Sequence, residues 1–211
     1  MSKVHAQYGC GLSGPKEWVN FDSSPTLQLQ RIPLIGKLFY SFSSVKFPEN
    51  IKYGDIIKGL PLAANSCDSL YCSHVLEHLS LEDFRIALKN SYHVLKPGGI
   101  FRCVLPDLEY IAKTYLEKKA NRELDASITF MNWTLLGHEK REKGLKAIVK
   151  NHFSNAHHLW MWDKDSLAME LEKVGFKNIR KASFNDSQEN AFKLVEDSTR
   201  FENAVAIESI K

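Results

Sequence analysis

Two glycines and two aspartates near the start of the sequence could bind a nucleoside. Gly9 and Gly11 follow a short apolar run, and glycine there lets the backbone turn sharply and approach a ligand closely. Asp22 ends a second apolar run, where its carboxylate can accept hydrogen bonds from both ribose hydroxyls of an adenosine. Asp55 ends a third run and could accept from an adenine amino group, although an ordinary turn explains it equally well. Together these residues predict a bound adenosine.

The elements that would position these residues alternate between strand-like and helix-like patterns, which predicts an α/β fold. We expect a mostly parallel, seven-stranded sheet with helices on both faces. The predicted strands lie near residues 3–8, 18–21, 51–55, 69–72, 100–105, 178–183 and 203–210.

Helical patterns fill the connections between these strands. Ser80 can cap a helix whose apolar positions recur every three or four residues, and Asp165 can cap another that ends at Gly175. Between the second and third strands, residues 23–48 predict one helix and a loose apolar connection. Residues 109–160 fit no strand, and we expect a helical insertion that covers the carboxyl ends of the strands as a lid.

Composition limits the classes of protein that the chain can belong to. Its length of 211 residues suits a single domain over residues 1–211, and its formal net charge of +3 disfavours nucleic acid as a partner. The four cysteines show no Cys-x-x-Cys pairing, and no group of ligands has metal-site spacing, so we expect reduced cysteines and no metal. No leader and no long apolar run is visible, which predicts a cytoplasmic protein without membrane insertion.

Five stretches of the sequence follow one another in the order that a known family shows: Tyr8–Gly11, Trp18–Asp22, Tyr53–Ile56, Asp68–Leu79 and Val94–Ile100. The most specific are Cys-Ser-His-Val-Leu-Glu-His-Leu and the later Val-Leu-Lys-Pro-Gly-Gly. On these motifs the sequence resembles class I S-adenosylmethionine-dependent methyltransferases of the methyltransferase type 11 kind. It is most similar to the small bacterial group found among surface-polysaccharide genes. The resemblance implies a Rossmann-like sandwich with S-adenosylmethionine as its cofactor.

The resemblance also assigns roles to individual residues. Its cofactor-binding positions correspond to Gly9, Cys10, Gly11, Asp22, Asp55, Ile56, Ser73 and His74. Ser73 and His74 would lie beside the methionine end and the transferred methyl. The sequence departs from the family in two ways: Tyr8 replaces the usual leucine, and no acidic residue precedes the glycines. That acid often orders the glycine loop or contacts the methionine amino group.

Methyl transfer requires a nucleophile placed in line with the methyl group, and an alcohol nucleophile must also lose a proton. Histidine suits that task near neutral pH. The candidates are His74, His157 and His158, with His152 in the same region, and Asp107, which follows the fifth strand. For each of them a structural role is an equal interpretation, and a helix N-cap would explain Asp107.

We therefore expect an enzyme that methylates a small-molecule or carbohydrate-linked acceptor on oxygen. The alternatives are an RNA or protein methyltransferase, and an inactive regulatory protein that binds S-adenosylmethionine without turnover. A nicotinamide-dependent enzyme is a further alternative, which the spacing of Gly9, Gly11 and Gly14 disfavours. The sequence does not name the acceptor or the oligomeric state.

Overall fold

The computed structural model describes residues 3–137 and 157–211. Its seven strands are β1 (His5–Tyr8), β2 (Trp18–Asp22), β3 (Ile51–Tyr53), β4 (Cys67–Ser73), β5 (Leu95–Pro106), β6 (Lys177–Lys181) and β7 (Ala204–Ile210). They form one sheet in the order β3-β2-β1-β4-β5-β7-β6. Neighbours from β3 to β5 are parallel, and β7 runs antiparallel to both β5 and β6. The predicted α/β fold and its mostly parallel sheet are confirmed.

Six α-helices lie within the described residues. They are α1 (Pro25–Gln30), α2 (Gly36–Phe42), α3 (Leu81–Val94), α4 (Leu108–Ala120), α5 (Ala126–Thr134) and α6 (Lys164–Val174). Three short 3-10 helices, Leu76–His78, Asn190–Leu194 and Ser198–Phe201, complete the structure. Helix α3 begins as predicted, because the Ser80 hydroxyl accepts a hydrogen bond from the Asp83 backbone N–H.

Alternate residues of the central strands pack on opposite faces of the sheet, as the period of two requires. On one face, Cys72, Cys103 and Ile207 join the main core, which also contains apolar residues of α3 and α6. On the other face, Tyr71 and Val104 pack in a second cluster with Trp18 and with Phe192 and Val195 of the 190–195 region. This second face is therefore covered by residues that lie far along the chain.

No helix separates β1 from β2, because residues 9–17 pass directly from one strand to the next in turns. The Trp18 indole N–H instead donates to the Ala191 carbonyl at 3.1 Å. We call residues 9–11, which follow β1, the glycine turn. A dinucleotide site would bind its pyrophosphate at the N-terminus of a helix that begins at this turn. The missing helix therefore disfavours a nicotinamide-dependent enzyme.

Arg102, in the middle of β5, holds the segment that covers this second face. Its side chain is fully buried and contacts three carboxylates, those of Glu196, Glu208 and Asp186. One Nη atom also donates to the Ser183 carbonyl at 2.6 Å. A buried guanidinium with several acceptors joins β5 to the connection between β6 and β7.

The structure corrects two of the predicted helices. Residues 23–48 contain two short helices and not one, because Pro33 cannot continue a helix and Leu34 adopts a left-handed conformation with φ 70°. Helix α6 is capped by Asp163 and not by Asp165. The Asp163 carboxylate accepts from the Ser166 N–H at 2.8 Å, and Gly175 ends the helix with φ 114°, as expected.

The predicted insertion is partly visible. Helices α4 and α5 pack against each other after β5, and Tyr110 stacks on Trp133 at 6.2 Å between ring centroids. His152 lies outside the described residues. No helix of the described part is long and apolar enough to cross a membrane. The four cysteines are free thiols, as predicted, and three of them are buried.

Glu170 on α6 ties this helix to α3 and should make stability depend on pH. Its carboxylate receives two hydrogen bonds from Arg85, at 2.8 and 2.9 Å, and one from Lys173 at 2.7 Å. The Arg85 hydrogen bonds lower the pKa of Glu170 to about 2. Because the folded pKa lies below the unfolded one, this stabilisation is present above about pH 4.5 and is lost as pH falls toward 2.

We expect Glu170→Gln to lower the free energy of unfolding by about 1–2 kcal/mol at pH 7, since Arg85 is half exposed. Urea unfolding at pH 7 and at pH 3 measures the difference, which should shrink at pH 3. Asp165→Asn, at an exposed position of the same helix, is the matched control. A difference that stays constant with pH would contradict this assignment.

Candidate active site

A cavity of about 670 Å³ opens at the carboxyl ends of β1, β2 and β3, and we call it the larger cavity. Its wall includes predicted residues from several elements: Gly9, Asp22, Asp55, Ile56 and His74. Ligand cavities of about 300–1,000 Å³ are typical of small-molecule and cofactor sites. The fold therefore brings most of the predicted adenosine-binding residues to one edge of the sheet, where open α/β sheets bind ligands.

Gly9 allows the glycine turn to pass close to the residues that follow β4. Its φ is +63°, and a Cβ atom at this position would lie 2.2 Å from Val75 Cγ2. A side chain would both strain the backbone and close the gap between the turn and the cavity wall. Gly11 also has a positive φ of +56°, but a Cβ there would meet nothing within 4 Å.

We expect Gly9→Ala to weaken cofactor binding about tenfold or more and to destabilise the fold by about 1–3 kcal/mol. Gly11→Ala is the matched control, since it adds the same strain without the collision. Isothermal titration calorimetry and urea unfolding on both variants separate the two effects. Equal losses in the two variants would contradict a role for the close approach at Gly9.

Asp22 holds the glycine turn and still faces the larger cavity. Its Oδ2 accepts from the Gly11 N–H at 2.9 Å, and its Oδ1 accepts from the Ser24 N–H at 2.8 Å. The residue is 9% exposed. Each carboxylate oxygen has a second lone pair, so Asp22 can hold the loop and accept from ribose hydroxyls at the same time.

Asp55 and Ile56 also line the larger cavity. The Asp55 Oδ1 accepts from the Ile57 N–H at 3.0 Å, and Lys58 Nζ lies 3.3 Å from Oδ2. The Ile56 side chain is buried, and the Asn90 side chain donates to its carbonyl at 2.7 Å. Ile56 thus offers an apolar surface for the adenine ring, and Asp55 offers a carboxylate for the amino group of that ring.

The glycine turn is ordered without the acid that the family often carries. Gln7, on β1, donates from its side-chain amide to the Ser13 carbonyl at 3.0 Å and to Asn20 Oδ1 at 2.7 Å. Asn20 in turn donates to the Pro15 carbonyl at 3.0 Å. Two buried amides therefore hold the loop in place of a carboxylate.

A second cavity of about 320 Å³, which we call the smaller cavity, lies on the other side of the glycine turn. It shares Gly9 and His74 with the larger cavity, and its wall also contains Cys10, Gly11 and Ser73. Polar groups from late in the chain complete it: Glu196, Asp197 and Arg200. Burial raises the pKa of the Cys10 thiol to about 12, so this wall residue is neutral.

His74 stands at the junction of the two cavities. It adopts a left-handed backbone conformation with φ 54°. Its Nε2 lies 2.9 Å from the Arg200 carbonyl, and its Nδ1 lies 3.5 Å from Glu77 Oε1. Burial opposes the charged ring, but the contacts with Glu77 and the Arg200 carbonyl outweigh it and raise the pKa of His74. Both nitrogens therefore face acceptors.

The other catalytic candidates lie away from the walls of both cavities. Asp107 caps α4 and accepts from the Glu109 N–H at 2.9 Å. The His157 carbonyl lies 3.0 Å from His78 Nδ1, and the His158 ring packs on the His78 ring at 5.0 Å between centroids. Burial lowers the pKa of His158.

Sequence reasoning did not single out Glu77, Gln7 or Arg200 as site residues. Glu77 lies inside the specific His-Val-Leu-Glu-His motif, which could have indicated a role. Arg200 carries no local signal, because only the fold brings residues 190–201 beside the glycine turn.

Several known proteins are similar to the chain. A family model described as a methyltransferase domain matches residues 40–103. An S-adenosylmethionine-dependent methyltransferase from Thermotoga maritima has 16% identity and a TM-score of 0.52, covering 100% of this chain and 83% of that chain. One from Archaeoglobus fulgidus has 15% identity and a TM-score of 0.48, covering 99% and 86%. No curated protein matches the chain.

A third similar structure is a Haemonchus contortus phosphoethanolamine N-methyltransferase in complex with S-adenosylmethionine. It has 11% identity and a TM-score of 0.48, covering 100% of this chain and 49% of that chain. The Thermotoga structure shares the fold of this chain, and the family match runs from α2 to β5. The residues at the larger cavity fit the cofactor. A Cβ at Gly9 would collide with Val75 on the cavity wall, and the Asp22 carboxylate lines the cavity. The chain therefore has a Rossmann-like methyltransferase fold, and the match over residues 40–103 together with the larger cavity supports a methyltransferase enzyme whose cofactor is S-adenosylmethionine.

Proposed function

We propose that the enzyme transfers a methyl group to a hydroxyl oxygen of a small-molecule or carbohydrate-linked acceptor. The observation that carries the proposal is the smaller cavity, which is small, polar and joined to the larger one at Gly9 and His74. The resemblance to methyltransferases found among surface-polysaccharide genes supports a carbohydrate acceptor.

In this arrangement the larger cavity holds the adenosine part of the cofactor. Asp22 accepts from the ribose hydroxyls, Asp55 accepts from the adenine edge, and Ile56 packs against the ring. Gly9 and Gly11 bring the backbone close to the ribose and the methionine part. Ser73 and His74 border the methionine end.

S-adenosylmethionine, when bound, supplies an electrophilic methyl group on its sulfonium sulfur. The task of the chain is then to place the acceptor oxygen in line, which can supply most of the rate. Gln7, Asp197 and Arg200 offer an amide, a carboxylate and a guanidinium on the wall of the smaller cavity. Such groups suit a ligand that is rich in hydroxyls.

His74 is best described as a positioning residue. The Arg200 carbonyl and the Glu77 carboxylate face its two nitrogens and hold the ring in place. The ring in turn holds the Arg200 backbone near Gly9. The ring thereby fixes the border between the two cavities. Asp107, His157 and His158 have no place on the cavity walls and act, in this proposal, outside the transfer step.

Arg200→Gln tests the assignment of the smaller cavity. We expect the acceptor KM to rise about tenfold or more, because a hydrogen bond to a charged group contributes about 1.5–3 kcal/mol. The dissociation constant for S-adenosylmethionine should stay within about twofold. Transfer of a labelled methyl group is measured on sugars and nucleotide sugars, with amines, RNA and protein as competing acceptor classes.

Each outcome of that experiment has a definite meaning. Loss of cofactor binding in Arg200→Gln would place the methionine end, and not the acceptor, in the smaller cavity. Methylation of RNA, protein or amines in preference to sugars would overturn the proposed acceptor. Cofactor binding without transfer to any class would favour the inactive regulatory protein.

A further inference from the structure

A second cluster of ionisable side chains adjoins the larger cavity, whose wall includes one of its members, His78. Glu77, His78 and His158 bring one carboxylate oxygen and two imidazole nitrogens within 4.8 Å of one another. Glu77 is 1% exposed, and within the described residues neither carboxylate oxygen receives a hydrogen bond of normal length. A buried carboxylate without such donors is costly, and His74 Nδ1, at 3.5 Å from Oε1, is too distant to satisfy it in full.

The two imidazoles have the arrangement that is typical of metal ligands. His78 Nδ1 lies 3.0 Å from the His157 carbonyl, which can only accept, so this nitrogen carries the proton. His78 Nε2 then directs a lone pair toward Glu77, whose Oε1 lies 3.9 Å away. Metal-binding histidines commonly donate their other ring N–H to a backbone carbonyl in this way.

His158 follows the same pattern from another part of the chain. Its ring interacts with the Thr134 backbone, while its Nδ1 is buried and has no hydrogen-bond partner in the described part. The residue is 7% exposed. A buried nitrogen lone pair beside a buried carboxylate is explained by a cation bound between them.

The backbone holds the three residues in register. The Glu77 carbonyl accepts from the Leu159 N–H at 2.8 Å and from the Trp160 N–H at 3.2 Å. These bonds fix the segment around His158 against the 3-10 helix Leu76–His78. His74 Nδ1, at 3.5 Å from Glu77 Oε1, can orient the carboxylate from behind.

We propose that Glu77, His78 and His158 bind a divalent transition-metal ion, with Zn²⁺ as the ion that this ligand set favours. Two imidazoles and one carboxylate form a zinc ligand set that leaves a fourth position for water or another ligand. The ion joins the residues that follow β4 to the segment that leads into α6. This site was not predicted from the sequence, and it does not depend on the acceptor proposed above.

The test uses the full chain without an affinity tag. The protein is stripped with a chelator, reloaded with Zn²⁺, dialysed and analysed for metal by mass spectrometry. We expect about one zinc ion per wild-type chain. Glu77→Gln and His158→Gln should each retain at most about one tenth of the zinc that the wild type retains, since loss of one ligand weakens the site strongly.

Glu82→Gln and His93→Gln are the matched controls, because both positions are exposed on α3. They should retain zinc like the wild type. Wild-type protein that retains no zinc would overturn the proposal, as would equal retention in all four variants. Cofactor binding is titrated on the same stripped and reloaded samples, so loss of the metal is distinguished from loss of the methyltransferase site.

A second measurement covers the case in which the buried variants fail to fold. Co²⁺ added to stripped wild-type protein should give the intense visible absorption of a four-coordinate site with nitrogen and oxygen ligands. Added Zn²⁺ should abolish this absorption and raise the melting temperature. A weak spectrum like that of hydrated Co²⁺ would overturn the site without any variant.

Discussion

Replacing Asp22 with alanine should weaken S-adenosylmethionine binding about 100-fold. The variant would lack the carboxylate that, in our proposal, accepts from the two ribose hydroxyls, and each hydrogen bond to a charged group contributes about 1.5–3 kcal/mol. The Gly11 and Ser24 N–H groups would also lose their acceptor, so the glycine turn would no longer be fixed. Isothermal titration calorimetry with S-adenosylmethionine and S-adenosylhomocysteine measures the loss.

Asp22→Asn and Asp55→Asn sharpen the result. Asp22→Asn keeps the size of the side chain but turns one acceptor into a donor that faces a backbone N–H. Asp55→Asn keeps the acceptor for Ile57 and should cost at most about tenfold in affinity. If Asp22→Asn binds the cofactor as tightly as wild type, Asp22 serves the turn and not the ribose.

Replacing Arg102 with methionine should give the largest loss of stability, about 3–5 kcal/mol. The fully buried guanidinium faces Glu196, Glu208 and Asp186, and methionine would leave these carboxylates without their shared partner. Arg180 also contacts Glu208 and Asp186, so it can offset part of the loss. Urea unfolding followed by circular dichroism measures the change.

Lys113→Met is the control, since the Lys113–Glu109 pair lies exposed on α4 and contributes little. A loss below about 1 kcal/mol for Arg102→Met would show that the buried network can relax around an apolar side chain. Arg102→Met should also loosen the wall of the smaller cavity, because Glu196 is both a partner of Arg102 and a residue of that wall.

The glycine turn, Asp22 and Asp55 could be predicted from the sequence because each follows an apolar run that becomes a parallel strand. Their side chains therefore meet at one edge of the sheet by topology alone. The helix ends were predicted where a single residue decides them, as at Ser80 and Gly175. The cap at Asp163 was missed because two aspartates lie within one turn, and only Asp163 has the required backbone conformation.

Contacts between distant parts of the chain could not be predicted in this way. Arg200 reaches the smaller cavity only because residues 190–201 pack on the sheet face opposite the main core. His158 reaches Glu77 only because the Leu159 and Trp160 backbone bonds to it. No local pattern encodes either approach, so the proposed acceptor cavity and the proposed metal site emerge from the three-dimensional structure alone.

The direct connection between β1 and β2 has a consequence for how the chain matures during synthesis. The sheet face beside the glycine turn is covered by residues that the ribosome adds much later. Ala191, the hydrogen-bond partner of the Trp18 side chain, follows Trp18 by 173 residues in the sequence. Contacts of such long separation slow folding and leave apolar surface exposed in the meantime. A nascent chain that stops before residue 190 should therefore expose Trp18 and Tyr71 and be a target for chaperones and proteases. Competence to bind the cofactor would then arise in one late step, when the last strands join the sheet.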